Sequence, residues 1–150
     1  LAICDRVAVL RSGEIQQYST PLEMVCNPSN DFVGQFVLQK NILPIKYING
    51  SYSTCIGELH FSSDKSISSK SVCMFDKNAI RLQRSENDNF RVVSKEYRIS
   101  HFVFTVINEG FKLRAEMSLD TDLSIGDKCK VETIKENSFL ILPENIKSIF

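Results

Sequence analysis

The pattern of hydrophobic and polar positions changes near residue 38. Before that point, "VAVL" at 7–10 and "IQQYS" at 15–19 flank "RSGE", which predicts a β-hairpin that turns at Gly13. After it, short apolar or alternating runs recur, separated by Ser, Asn, Asp and Gly. The pattern therefore predicts a small mixed unit followed by an all-β domain.

Two short helices are predicted between the hairpin and the β-rich region. In "TPLE" at 20–23, the threonine can cap a helix, the proline suits its first turn, and the glutamate completes a capping box. The Asn-Pro pair at 27–28 ends this helix. A second helix is predicted over 29–37, with Ser29 as its cap and one apolar face. The residues of that face are Phe32, Val33 and Phe36.

The remainder of the chain predicts a series of short β-strands. Alternation is clearest at 111–117, where apolar residues alternate with charged ones. Gly126 in "SIGD" predicts a turn, because glycine accepts a positive φ and Asp127 can bond nearby backbone. The predicted strands are 41–48, 52–61, 72–75, 79–83, 90–99, 101–107, 111–118, 128–134 and 139–143.

The predicted fold class is mainly β, with an OB-like β-barrel region over 39–150 and a small α/β unit over 1–38. Composition supports a folded chain, since 43% of the 150 residues are hydrophobic. Lys+Arg and Asp+Glu both total 18, so the net charge of zero leaves no electrostatic footprint for nucleic acid. The five cysteines form no Cys-x-x-Cys motif, and scattered thiols fit a reducing compartment.

Motifs in residues 1–38 occur in an order that resembles the end of the ATP-binding domain of ABC-transporter importers. The resemblance implies that the chain is a C-terminal piece of a larger subunit that hydrolyses ATP with Mg. Each motif also has a local role in a turn, a cap or packing, and none performs chemistry. The motifs are Asp5-Arg6-Val7, Gly13-Glu14-Ile15, Thr20-Pro21-x-Glu23, Asn27-Pro28 and Phe32-Val33.

Residues 39–150 resemble the TOBE accessory domain of the iron, spermidine, sulfate and maltose branch of these ATPases. The run "FVLQKNILP" at 36–44 resembles the domain junction of ferric-iron transport ATPases, which implies iron(III) import. Polyamine, sulfate and sugar import stay open as alternatives. The chain departs from the family at 76–78, where Asp-Lys-Asn replaces Arg-Pro-Glu. The closing turn and its flanks match at Leu123, Gly126, Asp127 and Val131.

The sequence contains no ATPase motif of its own. It has neither a GxxxxGK[ST] phosphate loop nor an "LSGGQ"-like signature, and neither His60 nor His101 has the context of the family's switch histidine. We therefore expect no enzymatic activity, no catalytic residue and no cofactor in this chain, with ATP and Mg bound by the parent. The resemblance also implies a cytoplasmic location, peripheral to the inner membrane face through permease subunits.

Two other kinds of site are weaker alternatives. Basic and aromatic residues interleave over 95–104, as in single-strand nucleic-acid binders, but an ordinary strand pair explains them better. A metal site at His60, or at His101 with Cys129, lacks further ligands at suitable spacing. A solvated turn is the default for the acidic residues near 120. The interleaved set is Lys95, Tyr97, Arg98, His101, Phe102 and Phe104, and the acidic set is Glu116, Asp120 and Asp122.

Association is the function that the residues favour, and we expect a homodimer. Surplus apolar strand and tail residues would be buried against a second copy, although burial within one chain is the alternative for each. A free-standing nucleic-acid-binding OB fold and a regulatory barrel that binds a small molecule are the rival classes. The predicted interface residues are Phe102, Phe104, Ile107, Phe111, Ile146, Ile149 and Phe150.

Overall fold

The computed structural model describes residues 3–59, 71–134 and 139–143. The fold is mainly β with few helical residues, which confirms the predicted OB-like, β-rich fold class. The N-terminal unit consists of β1 (Val7–Arg11), β2 (Glu14–Ser19), α1 (Pro21–Cys26) and a π-helical turn (Val33–Val37). The β-domain consists of β3 (Asn41–Ile48), β4 (Ser51–Thr54), β5 (Gly57–Leu59), β6 (Ser71–Phe75), a 3-10 turn (Lys77–Ala79), β7 (Ile80–Arg84), β8 (Phe90–Tyr97), β9 (Phe102–Asn108), β10 (Phe111–Met117), β11 (Lys128–Thr133) and β12 (Leu140–Pro143).

The N-terminal unit confirms the predicted hairpin and the first helix. Strands β1 and β2 pair antiparallel around the turn at Gly13, where φ is +83°. The Glu23 backbone N–H donates to Thr20 Oγ1 at 3.3 Å, and the Thr20 N–H donates to the Glu23 carboxylate at 2.9 Å. These bonds form the capping box. The Thr20 N–H and hydroxyl, which both donate to the Glu23 carboxylate, lower its pKa because they favour the ionised form.

The second predicted helix forms differently. It winds as a π-helical turn, in which the Leu38 N–H donates to Val33 O at 3.3 Å. The predicted cap at Ser29 is wrong, because its hydroxyl donates to Gln16 O at 2.9 Å. The side chain of Asn30 takes the cap's place and accepts from the Val33 N–H at 3.0 Å. Asn30, one residue after the predicted cap, therefore satisfies a backbone N–H that the start of the helix leaves without a partner in the helix.

The predicted apolar face of this helix is only partly correct. Phe32 and Val33 are buried, but Phe36 is 70% exposed. The rings of Phe32 and Phe36 stack with their centroids 5.2 Å apart, so Phe36 shields Phe32 while most of its own surface stays in solvent.

The β-domain contains two five-stranded sheets. Their strand orders are β12-β6-β3-β4-β5 and β10-β9-β8-β11-β7, and all the pairs are antiparallel. The end strands β7 and β10 approach one another, and the Leu82 N–H donates to Met117 Sδ at 3.4 Å. The second sheet is therefore curled towards a partly closed barrel. The alternation predicted for 111–117 is confirmed by the burial of Leu113 and Ala115.

The single strand predicted over 52–61 is wrong. Strands β4 and β5 are separated by a turn at Cys55 and Ile56. The Thr54 hydroxyl accepts from the Ile56 N–H at 3.2 Å and donates to Gly57 O at 3.0 Å. A side chain that bonds nearby backbone in this way closes a turn inside a sequence that otherwise reads as one strand. The predicted residues 60 and 61 lie outside the described part.

One hydrophobic core lies between the two sheets. Its members come from both sheets, so neither sheet buries its inner face alone. The largest fully buried side chains of this core include Phe75, Phe104, Leu43, Leu59, Ile80 and Leu113.

The junction between the two units is fixed by Asn41, the first residue of β3. Its side-chain amide donates to Arg114 O at 2.8 Å and accepts from the Arg114 N–H at 2.7 Å. Strand β10 is an edge strand, so these two backbone groups lie on its open side. The Asn41 side chain thus pairs with β10 as one more peptide unit would, and it is only 4% exposed.

The N-terminal unit contacts the β-domain at Gly34. The backbone of Gly34 lies so close to Met74 of β6 that an added Cβ would be 2.0 Å from Met74 Cε. Both residues are buried, so the methionine fills the space that a side chain at position 34 would need.

We predict that Gly34→Ala lowers the free energy of unfolding by about 1–3 kcal/mol, because the new methyl group overpacks this contact. Gly34→Ala should cost less free energy of unfolding when it is added to Met74→Ala than when it is made in the protein with Met74. Urea unfolding of the four proteins measures this coupling. Equal costs of Gly34→Ala in both backgrounds would contradict the packing explanation.

Candidate interaction surfaces

The outer side of the β1–β2 hairpin is apolar and exposed. Register pairs Ala8 with Tyr18 and Leu10 with Ile15, and all four residues are exposed. We call this set the hairpin face. A two-stranded hairpin is marginal in isolation, and contiguous exposed apolar residues usually mark a contact surface.

The rest of the N-terminal unit extends this apolar character. Its buried cluster is small and holds Val9, Met24, Phe32 and Val33. Several large apolar side chains of the unit remain exposed, so much of its apolar surface is not buried within the unit. Besides those of the hairpin face, they are Ile3, Leu22, Val25 and Phe36.

The predicted interface residues of the β-domain fall into different environments. Phe104 is fully buried in the core, so burial within the chain, the alternative, accounts for it. Phe102 and Phe111 are half-buried and pack against the core, whereas Ile107 is 43% exposed. Strand β9 places Ile107 opposite Arg91 and Lys112 of the neighbouring strands. The remaining three, Ile146, Ile149 and Phe150, lie outside the described residues.

The interleaved basic and aromatic residues are engaged within the chain. Lys95 Nζ lies 4.4 Å from the Phe102 ring centroid and donates to Leu123 O at 2.9 Å. Glu96 accepts from Arg98 at 2.7 Å and from Arg114 at 3.2 Å. These contacts describe an ordinary strand pair, in which acidic neighbours neutralise the cations.

The candidate metal ligands are dispersed. Cys129 is buried in the core, while His101 Nε2 lies 3.7 Å from the Glu116 carboxylate at a partly exposed position. Asp120 accepts from Ser118, and Asp122 lies 4.0 Å from Arg84. No group of three or more metal-ligating side chains forms within residues 3–59, 71–134 and 139–143. His60 lies outside these ranges.

A polar cleft that the sequence did not reveal lies beside the β4–β5 turn. It encloses about 200 Å³, and its polar lining includes Asn87, Asp88, Asn108 and Lys130. Asp88 accepts from the Ser85 hydroxyl at 2.5 Å. The asparagine-rich loop "ENDN" at 86–89 is the only sequence signal, and loops of this composition are common.

Among the known proteins to which this chain is similar, three show the range of the matches. An Fe(3+) ions import ATP-binding protein, FbpC, from Streptomyces coelicolor is 26% identical over 132 residues, 87% of this chain and 38% of the relative. A spermidine/putrescine import ATP-binding protein, PotA, from Mycoplasmopsis synoviae is 39% identical over 51 residues, 34% of this chain and 11% of the relative. A sulfate/thiosulfate import ATP-binding protein, CysA 2, from Chromobacterium violaceum is 42% identical over 50 residues, 33% of this chain and 14% of the relative.

Its homologues are ATP-binding subunits of ABC importers. The resemblance predicted from the sequence motifs is thereby confirmed. No protein-family model matches the chain. The matches span 11% to 38% of the lengths of these importer subunits, so the chain corresponds to a minor part of each. Within the part of this importer homologue that the structure describes, no helix has the length and apolar character of a membrane span.

The cysteines of this importer homologue divide by burial. Cys4, Cys26 and Cys55 are exposed, whereas Cys73 and Cys129 are buried. Burial raises the pKa of Cys73 to about 12 and, together with the charges of Asp88 and Asp127, raises the pKa of Cys129 to about 11. Their ordinary value is 9.0. Both buried thiols therefore stay protonated at neutral pH, and protonated thiols are poor nucleophiles.

We predict that a thiol reagent at pH 8 modifies Cys4 and Cys26 rapidly and Cys55 more slowly, because partial burial raises the pKa of Cys55, while Cys73 and Cys129 react only after unfolding. The raised pKa values also mean that the stability linked to these two thiols is full below pH 9 and is lost as the pH rises towards their folded pKa values. Mass spectrometry of native and denatured protein after a timed reaction identifies the modified sites. Rapid native modification of Cys73 would contradict the burial.

Proposed function

We propose that this chain is the C-terminal accessory module of the ATP-binding subunit of a bacterial ABC importer. In this proposal, residues 1–38 form the end of the catalytic domain and residues 39–150 form a TOBE domain that regulates and dimerises the subunit. The observation that carries the proposal is the match to the Streptomyces iron-import protein, because it extends over 132 residues and thus beyond the N-terminal motifs.

The exposed apolar side of the N-terminal unit supports this assignment. The hairpin face would be covered by the remainder of a catalytic domain, which the longer relatives have room to contain. ATP and Mg would bind to that remainder, and this chain would contribute no catalytic residue. The complete subunit would lie on the cytoplasmic side of the membrane through its permease subunits.

The proposed cargo of the parent importer is iron(III). Relatives from Streptomyces coelicolor and Rhizobium etli carry Fe(3+) import in their names, and the first of them matches 87% of this chain. Polyamine and sulfate import are alternatives, since shorter matches have those names. Sugar import is the further alternative that the sequence resemblance leaves open.

The genomic reading frame upstream of Leu1 tests the function directly. We expect it to continue in frame into a GxxxxGK[ST] phosphate loop, with genes for a permease and an iron-binding protein nearby. An initiator Met immediately before Leu1 would contradict the assignment to a larger subunit. A neighbouring gene for a polyamine-binding or sulfate-binding protein would indicate that the importer carries polyamine or sulfate instead of iron.

The dimer proposed here uses the exposed side of β9 and the start of β10. Ile107 lies on the outer face, where β10 pairs it with Lys112, whereas Phe111 is paired with Asn108 on the opposite face and packs against the core. An isoleucine that is 43% exposed in the free domain can gain burial against a second copy.

We predict that light scattering after size exclusion gives about twice the 17.1 kDa mass of one chain at high concentration. Ile107→Asp should raise the dimer dissociation constant at least about tenfold, since a charge would replace a buried apolar contact. Ile125→Asp is the matched control, because Ile125 is an exposed isoleucine elsewhere on the domain. A monomer at high concentration would contradict the dimer, and equal effects of both variants would contradict this site.

A further inference from the structure

Residues 33–41 connect the N-terminal unit to the β-domain, and both units hold them. Val33 belongs to the buried cluster of the N-terminal unit, while its neighbour Gly34 packs on Met74 of β6. The Lys40 N–H donates to Gly34 O at 3.0 Å, so the segment folds back on itself. We call residues 33–41 the joint.

The far end of the joint is bonded to β10. Asn41 makes its two hydrogen bonds to the backbone of Arg114, at 2.7 and 2.8 Å, with 73 residues of chain between them. A side-chain amide that both donates to and accepts from one residue fixes the direction of the bond as well as its length. Asn41 is also nearly fully buried, so water does not compete for either bond.

Side-chain contacts also hold Gln39 and Lys40, near the C-terminal end of the joint. The Arg114 guanidinium donates to Gln39 Oε1 at 3.0 Å and to the Glu96 carboxylate at 3.2 Å. Gln39 has φ of +52°, the left-handed conformation that often follows a helix end, and the bond from the Lys40 N–H to Gly34 O accompanies it. Lys40 pairs with Asp76 at 3.3 Å, and its side chain is only 10% exposed.

We propose that the joint is rigid and holds the N-terminal unit in one orientation on the β-domain, with the Asn41 amide as its latch. Gly34 contacts Met74 of β6 at one end of the joint, and Gln39, Lys40 and Asn41 bond Arg114 of β10 and Asp76 at the other, so the joint is held at both ends. A displacement imposed on the β-domain is therefore carried to the hairpin face without a hinge at this junction. The inference concerns this chain alone and holds whatever importer it serves.

The native cysteines allow a direct test by pulsed electron paramagnetic resonance. In a Cys4→Ser background, spin labels on Cys26 of the N-terminal unit and Cys55 of the β-domain measure the distance between the units. We expect a single narrow distance distribution in this background. Asn41→Ala should lose the single maximum, because it leaves the Arg114 backbone groups without their partner while circular dichroism still reports folded β structure.

Further variants keep the test decisive. Arg114→Ala retains the backbone groups that Asn41 binds but removes the brace to Gln39, and it should broaden the distribution even where Asn41→Ala fails to fold. Gln83→Ala is the control, since Gln83 is an exposed amide on β7 outside the joint, and it should change nothing. A broad distribution in the starting protein would overturn the rigid joint. An unchanged distribution in folded Asn41→Ala would overturn the role of the latch, as would one in Asn41→Asp, which cannot donate to Arg114 O, if Asn41→Ala does not fold. An unchanged distribution in Arg114→Ala would overturn the role of the brace to Gln39.

Discussion

The hydrogen bonds of Asn41 are the constraint on which the arrangement of this chain depends. Strand β10 ends its sheet, and the backbone N–H and C=O of Arg114 on its open side are satisfied by a side chain from the other sheet. A buried polar group without a partner costs about 1–3 kcal/mol, so an apolar residue at position 41 would leave two such costs. The amide thus ties the first residue of β3, in one sheet, to the edge strand of the other sheet.

This constraint joins two units whose cores differ. The β-domain encloses its own core, with Phe75 and Phe104 fully buried between the sheets. The N-terminal unit buries Met24 and Val33 but leaves its hairpin face in solvent. A unit with a complete core is thus joined to a unit that leaves apolar residues exposed. This arrangement is expected where an accessory domain meets the edge of a larger domain, so the exposed apolar surface supports the proposed function.

Most strands were predictable because their signals lie within a few residues of one another. Features that depend on contacts between distant residues were not predictable. Alternation at 111–117 and the capping box at 20–23 depend on residues within a few positions of one another. Strand β9 is buried at every position from Val103 to Val106, so its pattern does not show which face is inside, and Phe104 could not be assigned to the core. The role of Asn41 was unpredictable because its partner is 73 residues away.

Ion pairs neutralise several of the basic side chains on the surface of the β-domain. Glu96 is paired with Arg98 and Arg114, and Glu132 accepts from Arg81 at 2.8 Å. Surface pairs of this kind contribute about 0–1 kcal/mol each, so stability comes from the core instead. What the pairs do is cancel the field of the basic side chains. The hairpin face is apolar, and Ile107 on the exposed side of β9 lies opposite the cations Arg91 and Lys112. The apolar side chains of both surfaces gain burial only when another surface covers them.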